Sequence, residues 1–260
     1  MIKVDFSGLA DPKVTAERIG EYKWTRGSGS GAFSVGVDTT NNYSLDAMRE
    51  GYQHNRLTVA GGSTGQVFIL QTRSYATLHV LIAADEEYRN LHGANWQTQA
   101  ENKLRLAEPW FKEEHSIQFN VVGFTTAWTS QAALANDCTP FASDMVSDTN
   151  WPTTNPNNAD IMFGITGENI TGVGCATNTT PGSHAHPSAL VQNSYTPADT
   201  LVMHELTHLY DYDHQCDSDD WYDIIESTIS GGSCSGDSSF RLKNWRPAGD
   251  DVMASNRNWY

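Results

Sequence analysis

Basic residues are scarce in this chain. Its 260 residues contain only 16 Lys and Arg against 31 Asp and Glu, a formal net charge of −15. Proteins that bind nucleic acids neutralise the phosphates with clustered Lys and Arg, so the shortage argues against a nucleic-acid partner. The chain also lacks the uninterrupted apolar run of about eighteen residues or more that a membrane-spanning helix needs, and we expect no membrane span.

Cysteine is rare as well, and its spacing is informative. The four cysteines include no C-x-x-C pair, which argues against a zinc knuckle or a thioredoxin-like motif. We expect two local disulfides, Cys138 with Cys175 and Cys216 with Cys234. Disulfides persist mainly outside the cytosol. The N-terminus "MIKVDFSG" has no apolar signal-peptide core, so we interpret the chain as the mature or trimmed form of a secreted protein.

The composition changes near residue 74. Residues 1–73 are rich in Gly, Ser and Thr and contain short alternating segments such as "GAFSVGV" and "GQVFILQT". This pattern predicts a small β-rich unit, either a pro-segment or an accessory module. Residues 74–260 alternate between strand-like and helix-like segments, beginning with the apolar run "LHVLIAAD". They predict one α/β (α+β) domain with a mixed sheet backed by helices.

The stretch "TPADTLVMHELTHLYDYDHQC", residues 196–216, concentrates the histidines of the chain. Thr196 is a favourable N-cap and Pro197 suits the first helical position, so we predict a helix that runs through Tyr210. His204 and His208 would then lie one turn apart on the same side, where both imidazoles can reach one metal ion.

The residue types in H-E-x-x-H match what metal-assisted hydrolysis requires. Zinc binds neutral imidazole nitrogens, and a catalytic site leaves one coordination position open for water. The ion lowers the pKa of that water to roughly 7, and a neighbouring carboxylate can accept the proton. The sequence therefore predicts one catalytic Zn²⁺ held by His204 and His208, with Glu205 as the general base.

A third ligand has two candidates. His214 lies six residues after His208, so it can reach the ion only if the helix ends near Tyr210 and the chain turns back. Asp211 lies at that turn, and Asp is among the few non-glycine residues that enter the left-handed region at modest cost. The rival is Glu226, in the helix-like stretch "DDWYDIIESTISG", which would give a gluzincin-type site. We favour His214 because of ligand preference and the feasible turn.

These motifs resemble the reprolysin-like (adamalysin-type) branch of the metzincin zinc metallopeptidases. The string from His204 to His214 follows the pattern H-E-x-x-H-x-x-G-x-x-H, with Asp211 in place of Gly. "LHVLIAADEEY" is similar to the opening strand of that family, "FNVVGFTTAW" to its second strand, and "DIMFGITGENITGVGCA" to its third strand and the loop that follows. The resemblance covers about residues 77–255 and implies a twisted sheet of about five strands with zinc in a cleft.

The resemblance also implies roles for further residues. Met253 would lie on the Met-turn, a tight turn beneath the metal. The segment "SALVQNS" would form the antiparallel edge strand that borders the substrate cleft, and its substrate-binding residues would be Ser188, Ala189, Leu190 and Val191. The implied activity is endopeptidase hydrolysis of a protein or peptide substrate.

Other interpretations of the sequence stay open. The chain could be a zinc-stabilised binding module without activity, although structure alone does not require Glu205. Ca²⁺ is a second candidate ion, since "DSDD" at residues 217–220 gathers carboxylates, but this stretch lacks the spacing of an EF-hand loop.

Overall fold

The structure is a computed structural model of the 260-residue chain. It describes residues 2–5, 12–18, 24–29, 31–131, 137–177, 187–211 and 247–258. The first part of the chain forms two small β-sheets around one hydrophobic cluster. The part from Ala76 onward forms a larger sheet with a hydrophobic cluster on each face.

The larger sheet has five strands and is mixed. Its strands are β8 (Ala76–Ala84), β9 (Ile117–Thr125), β10 (Ile161–Thr166), β11 (Gly174–Ala176) and β12 (Ser188–Gln192). Their order across the sheet is β11-β12-β10-β8-β9. Four strands are parallel, and β11 runs antiparallel to β12. The mixed sheet of about five strands predicted from the sequence is therefore confirmed.

The central strands are buried because helices cover both faces of the sheet. Along β8, Leu78, Val80 and Ile82 point into one hydrophobic cluster, whereas Leu81 and Ala83 point into the other. This alternation is the period of two that a strand imposes on its side chains. A strand covered on both faces needs apolar residues at nearly every position, which explains the run "LHVLIAAD".

In the described part of the chain, six α-helices accompany the sheet. They are α1 (Glu86–His92), α2 (Trp96–Arg105), α3 (Glu108–His115), α4 (Cys138–Asp148), α5 (Ala198–His208) and α6 (Pro247–Asn256). Helices α2, α3, α5 and α6 pack on one face, and α4 packs on the other. The helical pattern over residues 95–111 is divided in two because Pro109 lies in the first turn of α3, where a missing N–H is tolerated.

The N-terminal part is β-rich, as predicted for residues 1–73. Its strands are β1 (Ile2–Asp5), β2 (Lys13–Arg18), β3 (Trp24–Ser28), β4 (Ala32–Val35), β5 (Asn42–Met48), β6 (Asn55–Ala60) and β7 (Gln66–Val67). They form two sheets of order β4-β1-β7 and β3-β2-β5-β6. Ile2, Val14, Leu45 and Phe68 are buried in the shared hydrophobic cluster. We call the described part of residues 1–73 the N-terminal unit.

The N-terminal unit contacts the amino-terminal ends of β8 and β9. The backbone N–H of Gly51 donates to Ser116 Oγ at 3.0 Å, and Arg56 of β6 pairs with Asp251 of α6 at 2.5 Å. The buried Arg257 guanidinium donates to the carbonyl oxygen of Ser74 at 2.6 Å and to that of Ser116 at 3.2 Å. Since β9 and β11 form opposite edges of the sheet, the unit lies on the half of the domain away from β11.

Candidate active site

Helix α5 carries the predicted histidines, and its limits differ from the prediction. It begins at Ala198 and ends at His208, so it starts one residue later and stops two residues earlier than expected. Thr196 is not the N-cap. Pro197 occupies that position with an extended backbone (φ −81°, ψ 127°) and no side-chain cap. The helix is therefore held less by its own capping than by packing, since every residue from Thr200 to Thr207 is buried.

His204 and His208 point at one place, as predicted. Their Nε2 atoms lie 3.1 Å apart, and the two rings are nearly perpendicular, at 86°. Two nitrogens at about 2.0–2.1 Å from a tetrahedral zinc ion are separated by about 3.3 Å. The pair therefore has the spacing of two ligands of one ion.

Glu205 completes a cluster of three potential ligands. Ligand atoms of His204, Glu205 and His208 all lie within 4.8 Å of one another. His204 and Glu205 are each only 3% exposed, and burial raises the pKa of the Glu205 carboxyl well above its usual value. A carboxylate held in so apolar a place is stabilised by a neighbouring cation, so the residues present fit a divalent metal ion.

The Glu205 side chain lies directly against the edge strand β11. A Cβ on Gly174 would come within 2.7 Å of Glu205 Oε1 and 3.0 Å of its Cγ. Real Cβ atoms do not approach other atoms so closely, so this carboxylate position depends on a glycine in the neighbouring strand. Sequence reasoning did not single out Gly174. The sequence does contain a signal for it, because an isolated glycine within a strand pattern often marks a place where another group comes close to the strand backbone.

The turn after α5 has the predicted geometry. Asp211 adopts a left-handed backbone conformation with φ of 66°, and its N–H donates to the carbonyl of His208 at 3.0 Å. Asp thus takes over the conformation that glycine usually supplies. Both candidate third ligands, His214 and Glu226, lie outside the described residues, so the choice between them stays a prediction.

Met253 is not on a tight turn. It lies within α6, and its side chain is fully buried in the hydrophobic cluster that also contains Met203, Leu206 and Tyr210 of the α5 region. The predicted Met-turn backbone is therefore wrong at this residue, although a methionine does pack against the metal helix. A helix can place a buried side chain there as well as a turn can, and the sequence pattern did not distinguish the two.

The predicted substrate strand is also wrong. Ser188, Ala189, Leu190 and Val191 belong to β12, which lies inside the sheet between β10 and β11 and is parallel to β10. All its residues are buried, and both of its sides already pair with neighbouring strands, so it cannot accept a substrate strand. The antiparallel edge strand is β11, three residues that the sequence analysis merged with the preceding loop.

A disulfide holds this edge strand. Cys138, the first residue of α4, bonds to Cys175 in the middle of β11, with Cα atoms 5.9 Å apart. The predicted pairing of these two cysteines is confirmed. The other predicted pair, Cys216 with Cys234, lies outside the described residues, as does the acidic stretch at 217–220.

The site is a His-Glu-His cluster on a helix, beside the edge of a mixed sheet. This arrangement is typical of metal-dependent peptidases. Residues 74–254 match the model of the Reprolysin_5 family, described as metallopeptidase family M12. The chain belongs to this family, which confirms the reprolysin-like metallopeptidase predicted from the sequence. Membership implies a protein or peptide substrate and a zinc cofactor.

Solved structures and curated proteins add little to the family assignment. A crystal structure of archaemetzincin from Methanopyrus kandleri is similar at 12% sequence identity, with a TM-score of 0.44, over 70% of this chain and 96% of that one. No curated protein matches the chain. Among the residues that the structure describes, no helix has the length and apolar character needed to cross a bilayer.

Proposed function

We propose that the protein is a secreted zinc-dependent endopeptidase in which Glu205 is the general base. The observation that carries the proposal is the convergence of the His204 and His208 Nε2 atoms beside a buried carboxylate that lies against the edge strand. The disulfide between Cys138 and Cys175 supports the secreted location, because such bonds persist in oxidising compartments.

A peptide substrate would bind along β11. The strand is antiparallel to β12 and forms one edge of the sheet, so an extended peptide can add to it through main-chain hydrogen bonds. This mode gives affinity with little demand on sequence. It would place the scissile carbonyl next to Glu205, since Gly174 of β11 touches that side chain.

The residues of α5 have different roles in the proposed reaction. His204 and His208 would hold the ion, with His214 as the proposed third ligand. Zinc supplies, when bound, polarisation of the scissile carbonyl and a more acidic water. The Glu205 carboxylate accepts a proton from the attacking water and delivers it to the leaving amine nitrogen. The C–N bond breaks, and a carboxylic acid and an amine are released.

Substitution of Glu205 tests this role. We expect Glu205→Gln to retain zinc and to lose peptide hydrolysis by a factor of about 10³ or more, because both proton transfers are removed. The measurement is a peptide-library digest with metal analysis, with and without a chelator. Glu101→Gln on α2 is the matched control, since Glu101 pairs only with Arg105 and should leave activity unchanged.

Two results would overturn the proposal. Full cleavage by the Glu205→Gln protein would exclude this residue as the base. A wild-type protein that melts on chelation but cleaves no peptide would instead be a zinc-stabilised binding module.

The third ligand needs its own measurement. We expect His214→Ala to lose zinc and Glu226→Ala to retain it, because imidazole is the preferred ligand and Asp211 has the left-handed conformation that the predicted turn requires. Zinc content per protein in the two variants decides between them. The reverse result would assign a gluzincin-type site with Glu226.

A further inference from the structure

Lys103 is a buried lysine that the proposed chemistry does not use. It lies on the inward face of α2 and is only 7% exposed. Its neighbours on this face are Ala100 and Leu104, which are completely buried. A lysine on the apolar side of an amphipathic helix is unusual, and this could have been noticed in the sequence.

The Lys103 ammonium is bonded to the end of β12. Nζ donates to the carbonyl oxygens of Gln192 at 3.2 Å and Asn193 at 2.5 Å, and to Asn193 Oδ1 at 3.4 Å. An ammonium group has three hydrogens to donate, so these three oxygens match its capacity. All three belong to two successive residues, and the lysine acts as a clamp on one short piece of chain.

That piece of chain leads into the metal helix. Gln192 is the last residue of β12, and Asn193 begins the connection that reaches α5 at Ala198. At the far end the N-cap Pro197 makes no side-chain cap, and Asp199 Oδ1 accepts from Thr200 N at 2.9 Å. Helix α1 differs, because its N-cap Asp85 accepts from Tyr88 N at 2.8 Å. The anchoring of the connection at Gln192 and Asn193 therefore adds to packing in setting where α5 begins.

The clamp is electrostatically costly. Lys103 has no ion-pair partner among the described residues, and burial lowers its pKa to about 8. An apolar side chain would cost less free energy at this position. A contribution to overall stability is thus a poor explanation for a lysine at this position. Its three hydrogen bonds offer a better one, because they fix the geometry of the bonded segment.

We propose that Lys103 is a positioning residue that fixes the connection between β12 and α5, and thereby the placement of His204 and Glu205 relative to the edge strand β11. The proposal rests on the proposed peptidase function for its catalytic consequence. Its structural part concerns the order of residues 193–199 and holds independently of the reaction.

Other charged and titratable groups lie on the elements that meet Lys103. They are Glu101 and Arg105 on α2, Tyr195 in the connection, and Asp199, His204, Glu205 and His208 on α5. None of them hydrogen-bonds to the ammonium. Among the described residues the ammonium therefore bonds only to Gln192 and Asn193.

The test compares Lys103→Met, Lys103→Arg and the control Lys112→Met, whose half-buried lysine pairs with Glu108 at 3.2 Å. We expect Lys103→Met to lower kcat about ten- to hundredfold, with a smaller change in KM, because a displaced catalytic group costs that much. Backbone amides of residues 193–199 should exchange hydrogen faster in the zinc-free protein. Thermal stability at neutral pH should be equal or higher, because the cost of a buried cation is removed.

The pH profile separates positioning from a merely structural role. The folded-state pKa of Lys103 lies below its ordinary value, so the clamp weakens as pH rises through about 8 in the wild type. Lys103→Arg stays charged and should restore part of kcat while shifting any alkaline fall in kcat to higher pH. Lys103→Met should show low kcat at every pH.

Three outcomes would overturn the proposal. In the first, Lys103→Met changes neither kcat nor the hydrogen exchange of residues 193–199. In the second, Lys103→Met loses stability and activity in parallel, and Lys103→Arg restores neither. In the third, Lys112→Met changes kcat and exchange as much as Lys103→Met does. If the wild type cleaves no peptide, the proposed function fails, and the exchange of residues 193–199 still decides whether Lys103 orders the connection.

Discussion

The two edges of the five-stranded sheet are built in opposite ways. Strand β9 spans nine residues, and side chains occupy its outer backbone groups: Glu108 accepts from Phe119 N at 2.9 Å, and Asn157 Nδ2 donates to Val122 O at 2.6 Å. Strand β11 has three residues and is fixed by a disulfide. Exposed strand edges invite pairing with other chains. Side chains thus block part of the long edge, and the short edge is the one along which we propose that a peptide binds.

The difference between the two sheet edges also helps to interpret the N-terminal unit. Its contacts with α3, α6 and the start of β9 lie on the blocked half, away from β11. We therefore favour an accessory module over an inhibitory pro-segment. The stretch at residues 6–11, which includes Asp11, lies outside the described residues.

Removal of the disulfide should have the largest effect on stability. The bond closes a loop with a sequence separation of 37, which corresponds to about 4 kcal/mol in the chain-entropy model. We expect the double variant Cys138→Ser, Cys175→Ser to lose about this much free energy of unfolding in chemical denaturation, with weaker peptide binding because β11 is freed. A loss below about 1 kcal/mol would show that β11 is held by its pairing with β12 alone.

A change within the N-terminal unit should affect stability but not catalysis. Arg56 pairs with the fully buried Asp46 at 2.8 Å, so Arg56→Met leaves a buried carboxylate without this partner and should cost about 3 kcal/mol of unfolding free energy. The kcat of the folded enzyme should stay unchanged. Asp251→Asn is the control, because it removes only the exposed partner of Arg56 and should cost less than about 1 kcal/mol.

A Gly→Ala substitution in each edge strand tests the difference between the two edges directly. A Cβ at Gly123 of β9 would meet Leu81 Cδ1 at 3.4 Å, an ordinary contact, whereas at Gly174 it would collide with Glu205. We expect Gly174→Ala to lower kcat/KM about ten- to hundredfold, or about 1.4–2.7 kcal/mol, with zinc retained. Gly123→Ala should change kcat/KM less than about twofold. Equal effects of the two variants would mean that Gly174 does not position the carboxylate.

The smallest expected effect is a loss of stability in acid that originates in the N-terminal unit. Burial alone would raise the pKa of Asp46, but His54 and Arg56 outweigh it and leave the pKa below 3.8. Such a group contributes stability above its unfolded pKa, and this contribution is lost as the pH falls through the folded value. The stability difference between wild type and Asp46→Asn should therefore narrow as the pH falls below about 5. A constant difference would contradict this.

The sequence predicted the metal helix and the buried strands because both leave strong local signals. The spacing of His204 and His208 places two imidazoles on one helix face, and the run in β8 requires cover on both faces. Asp211 was predicted in a left-handed turn from the pattern of the motif, and its φ of 66° agrees.

Neighbour relations between strands could not be predicted in the same way. The apolar segment of β12 was assigned to the edge because nothing in its composition states which strands flank it. The true edge strand, with Gly174 and Cys175, is too short to show periodicity. Lys103 and Gly174 contact residues distant in sequence, so the sequence can mark them as unusual but does not show what they touch.

The shortness of β11 has a consequence for inhibitors. Three residues of strand extend about 10 Å, so a peptide-like compound aligned on this edge can form main-chain hydrogen bonds over that length only. Backbone extension beyond about four residues should then add little affinity, and potency would have to come from the group directed at the histidines and from side chains that fill adjacent pockets.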